Sequence, residues 1–349
     1  MTDGGGAVGD LVSAAPARTP FDIVRTAWAE LVVPDLAASE QYYVDVLGLI
    51  VSARAPGALY LRGWEERVHH SLVLREGPVA GLRRLAFRVR EEADLDALAA
   101  DFAARGCETE NRDGEHPGTG RALHVRDPFG FPLAFFHEMD QFDTQLQRFD
   151  LQRGAPVARI DHVNLHTSDV DATFRFWKSL GFRCTEYIST DGPGERITGA
   201  WLTRKPTVHD VALTAGAGPR LHHLGFAVPD TSGVLRACDQ IAAAGHAASI
   251  ERGPGRHGVS NAFFVYLRDP SGHRIELYAC DYYTGDPDHK PLRWSAADAS
   301  CRSFWGARAP DRWYEESSVV LGPDGLPVAV TDADVDERDS FRGEIAQLT

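Results

Sequence analysis

The sequence is short of cysteine, of positive charge and of long apolar runs, and each shortage excludes a class of protein. Its five cysteines, Cys107, Cys184, Cys238, Cys280 and Cys301, are odd in number and never form a CxxC pair. That argues against a disulfide framework or a zinc ribbon and for a reducing, cytoplasmic setting. Acidic side chains outnumber basic ones by 50 to 36, a formal net charge of −14. A field of that sign repels phosphate backbones and anionic lipid, so neither nucleic acid nor a membrane surface is an expected partner. No stretch approaches the roughly 18 apolar residues of a spanning helix. The opening MTDGGGAVGDLVSAAPARTP has no basic start and no continuous apolar run. It reads as a flexible leader over 1–20 rather than a signal peptide.

What is present is an ordinary globular composition, 43% hydrophobic and 25% charged, over 349 residues. At roughly 150 residues per domain that length predicts about two domains. The chain also repeats itself. AELVVPDLAASEQYYVDVLGL (29–49) and VNLHTSDVDATFRFWKSLGF (163–182) share a short strand, an Asp opening a helix, an aromatic pair and Leu-Gly. GLRRLAFRV (81–89) matches RLHHLGFAV (220–228), and DPFGFPLAFF (127–136) matches DPSGHRIELY (269–278). Three matches in the same order identify an internal duplication.

Each half subdivides again. Strand 27–33 leads to helix 36–47 and strands near 58–63 and 67–75; strand 82–89 leads to helix 93–105 and strands near 121–125 and 131–136. The second half repeats this with helices near 170–180 and 232–244. The expectation is an α+β fold of four βαβββ modules, two per half, in paired barrel-like curved sheets. It divides into the leader, an N-terminal two-module domain over 21–145, a C-terminal two-module domain over 155–285 and an extension over 286–349.

Strand side chains alternate between faces, so parity sorts them. In 158–167 one face carries His162, Asn164 and His166. In 272–279 one face carries Arg274, Glu276 and Tyr278. In 220–228 the odd positions leave a roomy face around His223, and parity sends His222 to the packed side or its edge. The duplication supplies a control: alignment sets Trp28 opposite His162, Arg84 opposite His223 and Ala134 opposite Glu276. The same scaffold is therefore built without ligand-type residues at these positions. Two histidines and one carboxylate in one half suggest the facial set that favours non-haem Fe(II) and leaves adjacent positions open.

At these residues the chain resembles the vicinal oxygen chelate superfamily, built from paired βαβββ units. Within it the match is to the extradiol catechol dioxygenases, and most closely to the branch acting on homoprotocatechuate (3,4-dihydroxyphenylacetate). The resemblance covers roughly 22–330. It implies Fe(II), or Mn(II) in its place, on His162, His223 and Glu276, with a catechol and O₂ as reactants and no organic cofactor. It implies that His209 works as acid/base beside the O₂ site, that Tyr266 hydrogen-bonds the substrate and that Asn164 lies near the O₂ site. Trp201 would pack beside the substrate. The loop ERGPGRHGVSNAF (251–263) supplies Arg252 and His257, and the extension supplies Arg302, to face a side-chain carboxylate; a planar guanidinium grips a carboxylate through two hydrogen bonds. The extension, with Trp305, Trp313 and Tyr314, would be a lid. Alignment sets His69 opposite His209, so a histidine there is not unique to the active half. A homotetramer is implied too. The rival readings are an extradiol enzyme for another carboxylated catechol, an isomerase of the glyoxalase type and a non-redox ligand-binding member of the superfamily.

Overall fold

The computed structural model describes residues 6–13, 15 and 17–333. The rest of the leader and the extreme C-terminus from 334 lie outside the described residues. The first half is an eight-stranded sheet in the order Ile50–Ala55, Ala58–Arg62, Leu72–Glu76, Ile23–Val33, Gly81–Val89, Pro132–Phe136, Arg121–Arg126, Thr109–Asp113. The second half repeats that order with Arg183–Ser189, Ile197–Thr203, Val211–Ala215, Arg159–Thr167, Arg220–Ala227, Arg274–Ala279, Phe263–Arg268 and Ile250–Arg256. In each sheet the two modules meet through antiparallel central strands. Each central strand also pairs in parallel with the last strand of its own module. The extension adds Leu292–Ser295 beside Arg183–Ser189 and Ser318–Val319 beside Arg220–Ala227.

Local chemistry explains why the modules recur. The carboxylates of Asp35, Asp169 and Asp230 accept from the backbone N–H groups of Ala38, Ala172 and Gly233, capping the helices that follow. In the two DPxG turns Asp127 accepts from Phe129 and Phe131, and Asp269 from Ser271 and His273. Three elements depart from the sequence reading. The helix expected over 36–47 is α-helical only over Leu36–Glu40 and continues as a π-helix over Gln41–Val46. Strands Ile50–Ala55 and Thr109–Asp113 lack a fully buried residue, and so carry little of the apolar alternation that marks a strand.

The apolar faces of both sheets and the helices form one continuous core. Phe87 of the first half packs on Trp177 and Phe182 of the second, with centroids 5.3 and 6.1 Å apart. Full burial of each such side chain contributes about 1.5–3 kcal/mol, so the halves stabilise one another. Leader residues Gly6–Ser13 form a helix whose Val8 and Val12 join this core. The Lys178 ammonium donates to the carbonyls of Leu11 and Val12 at 3.0 and 3.2 Å. No helix among the described residues is long and apolar enough to cross a membrane. The opposite, polar face of the second sheet is what positions the site.

Candidate metal centre

Three neighbouring strands carry the candidate ligands. Gly225 is the pivot, registered to His162 on one side and to Glu276 on the other. A Cβ on Gly225 would lie 2.2 Å from His162 Cε1. Glycine is needed here for close approach, because only a missing side chain lets the imidazole cross the strand. His162 Nε2 lies 2.8 Å and His223 Nε2 3.3 Å from Glu276 Oε2. Two ligands at about 2.1 Å from one ion, set at right angles, are separated by about 3 Å. All three donor atoms lie within 4.8 Å of one another, and among the described residues no other such group occurs. The donor set fits a divalent metal.

Electrostatics couples the three groups to one another. His162 Nδ1 donates to Asp161 Oδ2 at 3.1 Å, which fixes the tautomer and turns Nε2 toward Glu276. The Lys205 ammonium holds Asp161 from behind at 2.9 Å. Burial opposes charge on His162, yet its hydrogen bonds to Asp161 and Glu276 overcome this and raise its pKa to about 9. Burial lowers His223 to about 4, against the pull of Glu276. Burial also works against an ionised Glu276, but the facing His162, His223 and His257 hold its carboxyl well below the usual range. Glu276 is therefore a carboxylate ready to ligate.

Around the candidate ligands lies one cavity, lined by the ten side chains expected to bind metal, substrate or protons, while Trp305 and Tyr314 are not among its lining residues. The His209 ring lies 3.9 Å from that of His162, and its buried Nδ1 has no hydrogen-bond partner among the described residues. Burial, then the neighbouring His162, pushes its pKa well below the ordinary value. Tyr266 Oη lies 2.9 Å from His257 Nε2, and the other His257 nitrogen meets the Arg302 carbonyl. The Thr214 hydroxyl donates to Asn164 Oδ1 at 2.9 Å. Arg252 donates to the Arg302 carbonyl at 3.1 Å and to the Ser303 hydroxyl at 2.6 Å, with its guanidinium 4.5 Å over the Trp313 ring. Arg252, His257 and Arg302 thus share one cavity wall with the candidate ligands, His257 Nε2 lying 3.7 Å from Glu276 Oε1.

The profile of the Glyoxalase/Bleomycin resistance protein/Dioxygenase superfamily matches residues 25–135 and 159–277. A manganese-dependent 2,3-dihydroxybiphenyl 1,2-dioxygenase from Geobacillus genomosp. 3 is 31% identical over 299 residues, 81% of this chain and 94% of that one. A metapyrocatechase from Geobacillus stearothermophilus is 31% identical over 317 residues, 86% of this chain and 95% of that one. Among solved structures, homoprotocatechuate 2,3-dioxygenase from Brevibacterium fuscum, in its anaerobic complex with 3,4-dihydroxyphenylacetate, superposes with a TM-score of 0.87. It is 46% identical, covering 91% of this chain and 100% of that one. The chain belongs to the extradiol dioxygenases of this superfamily.

Among the described residues the candidate ligand set occurs in one half only. The register Trp28–Ala86–Ala134 reproduces His162–Gly225–Glu276 strand for strand. Two sequence assignments need correcting. A bulge between Leu221 and His223 puts two residues against one, so Leu221 joins the apolar core and His222 turns to the cavity beside His223. His222 is still no member of the ligand group: its Nδ1 lies 2.7 Å from His223 Nδ1, and its Nε2 donates to the Trp313 carbonyl at 3.2 Å. The second correction concerns His209. Ala29 bonds the Ser71 carbonyl as Val163 bonds that of Asp210, so the counterpart of His209 is His70, not His69. Sequence reasoning also missed Ser260 and Thr214 in the cavity wall and gave Trp313 only as part of a lid. Thr214 lies on the strand Val211–Ala215, paired in register with the strand that carries Asn164 and His166; Ser260 sits in an irregular turn with no periodic signal.

Proposed function

We propose that this protein opens the ring of a catechol bearing a carboxylate side chain, cleaving beside the diol and adding both atoms of O₂. The substrate that fits best is 3,4-dihydroxyphenylacetate. One observation carries the choice of side chain: Arg252, His257 and Arg302 line the same cavity as His162, His223 and Glu276, in a protein whose overall charge would repel an anion. His162, His223 and Glu276 hold Fe(II) or Mn(II), consistent with the donor set and with the manganese-dependent relative. When bound, the metal would supply an electron path between the diol and O₂.

The chain's own residues do the rest. Arg252 and Arg302 bind the carboxylate and so set which ring edge faces the metal set. Tyr266, coupled to His257, hydrogen-bonds a diol oxygen. His209 is kept neutral by burial, able to accept a proton from the diol and return it. Trp201 and Trp313 flank the ring and exclude water. The test is the ratio of kcat/KM for 3,4-dihydroxyphenylacetate to that for 4-methylcatechol, which lacks the carboxylate. A preference of about tenfold or more supports the pocket, since a charge-assisted hydrogen bond contributes about 1.5–3 kcal/mol. Preference for the uncharged catechol would move the reading toward the substrates named for the 31% identical relatives.

A further inference from the structure

Glu186 is a buried carboxylate with no exposure, outside the ligand set and outside the cavity wall. It lies on the strand Arg183–Ser189, where a bulge at Thr185 breaks the pairing with the next strand. Its Oε1 accepts from the Ser260 backbone N–H at 2.7 Å and from the Tyr282 hydroxyl at 2.7 Å. Its Oε2 accepts from the Trp294 indole N–H at 2.6 Å. These three donors come from three segments: the loop carrying His257, the stretch just after the strand Arg274–Ala279, and the C-terminal extension carrying Arg302.

The loop needs such a tether. Ser260 and Asn261 both have left-handed backbone angles, φ 57° and 54°, which a residue with a side chain adopts at a cost. Ser260 lines the cavity beside Arg252 and Arg302. Next to it the Gly258 N–H bonds the Ser300 carbonyl, and the Arg256 N–H bonds that of Trp305, lacing the loop to the extension. The duplicated half gives the control. Glu186 registers with Trp201 as Ala53 registers with Tyr60, each just past an equivalent bulge. The scaffold therefore builds this strand pair without a carboxylate, at a position where a buried charge is costly unless several donors meet it.

We infer that Glu186 is a positioning residue for the carboxylate pocket: it holds the strained Ser260 turn and the extension in one arrangement, so that Arg252, His257 and Arg302 face the substrate's side chain together. This rests on the proposed carboxylated substrate. Glu186→Gln tests it, because the amide sets an N–H₂ against at least one of the three donors while keeping size. The variant is compared with wild type, both fully loaded with Fe(II), on 3,4-dihydroxyphenylacetate and on 4-methylcatechol.

The expected result is a fall of about tenfold in the ratio of the two kcat/KM values, carried by KM for the carboxylated catechol. Metal content and kcat on 4-methylcatechol should stay within about twofold. Should Glu186→Gln not accumulate as folded protein, Glu186→Asp keeps the charge but draws the oxygens back by one methylene, and the same loss is expected. Equal falls on both catechols would assign Glu186 to general stability and overturn the inference. So would a wild-type ratio preserved in the variant. A wild type without preference for the carboxylated catechol would overturn the substrate reading first, and the inference with it.

Discussion

Replacing Gly225 by alanine adds one methyl group, and the structure gives that methyl no room. It would lie 2.2 Å from His162 Cε1 and 2.3 Å from Nε2. Ordinary carbon contacts are about 3.5–4.0 Å, so the ring must give by roughly 1.5 Å. It cannot swing freely, because Asp161 holds Nδ1 at 3.1 Å and His209 lies against its face at 3.9 Å. The displacement therefore falls on Nε2, the proposed ligand atom. Disturbing a ligand's orientation costs about 10- to 100-fold in metal affinity, and that is the loss expected here. Overpacking should cost about 1–3 kcal/mol of stability, not the fold. Ala86, the buried counterpart of Gly225 in the first half, shows that the strand itself accepts a methyl. The assay is metal content after dialysis against a series of buffered Fe(II) concentrations without air, with circular dichroism as a check on folding. A folded Gly225→Ala protein that binds Fe(II) as tightly as wild type would refute the reasoning.

His223→Ala should lose the metal, whereas His222→Ala should retain it and lose stability by about 1–3 kcal/mol through the unpaired Trp313 carbonyl; metal analysis and urea unfolding separate the two, and equal metal loss would contradict the ligand assignment. His209→Phe should keep the metal while turnover falls by about 10²- to 10⁴-fold, the usual contribution of a positioned acid/base, as single-turnover kinetics would show. His166 is fully buried and its pKa is lowered to about 3 by burial, then by Arg274. Between pH 6.5 and 3 the unfolded chain binds this proton and the native state does not, so acid favours unfolding, by roughly 3 kcal/mol at pH 4. His166→Gln should flatten that part of the stability profile in urea titrations from pH 7 to 4, and an unchanged slope would count against it.

Whereas Tyr266 comes from the family resemblance, the duplication and strand parity are enough to place His162, Asn164 and Glu276 on polar strand faces, because period-2 alternation survives wherever the ladder is regular. It fails where the ladder is irregular. The bulge in 220–228 reversed the faces of Leu221 and His222, and nothing in RLHHLGFAV announces it. The same limit hid Glu186, which follows a bulge in RCTEYIS. Comparing the halves residue by residue would have found it, since Ala53 stands at its counterpart. Two adjacent histidines in a loop give no periodicity to decide between His69 and His70; the backbone bond from Ala29 to Ser71 does. Ser260 depends on contacts between segments far apart in sequence, and no local pattern encodes them.

The most direct test of the account is ring cleavage itself. Protein reconstituted with Fe(II) without air is mixed with 3,4-dihydroxyphenylacetate, and ¹⁸O₂ is admitted while oxygen uptake and absorbance are followed. The account predicts stoichiometric uptake, a yellow ring-opened semialdehyde carrying both labelled atoms, and loss of both signals when the metal is chelated. Iron-loaded protein that leaves this and every other catechol intact would contradict it.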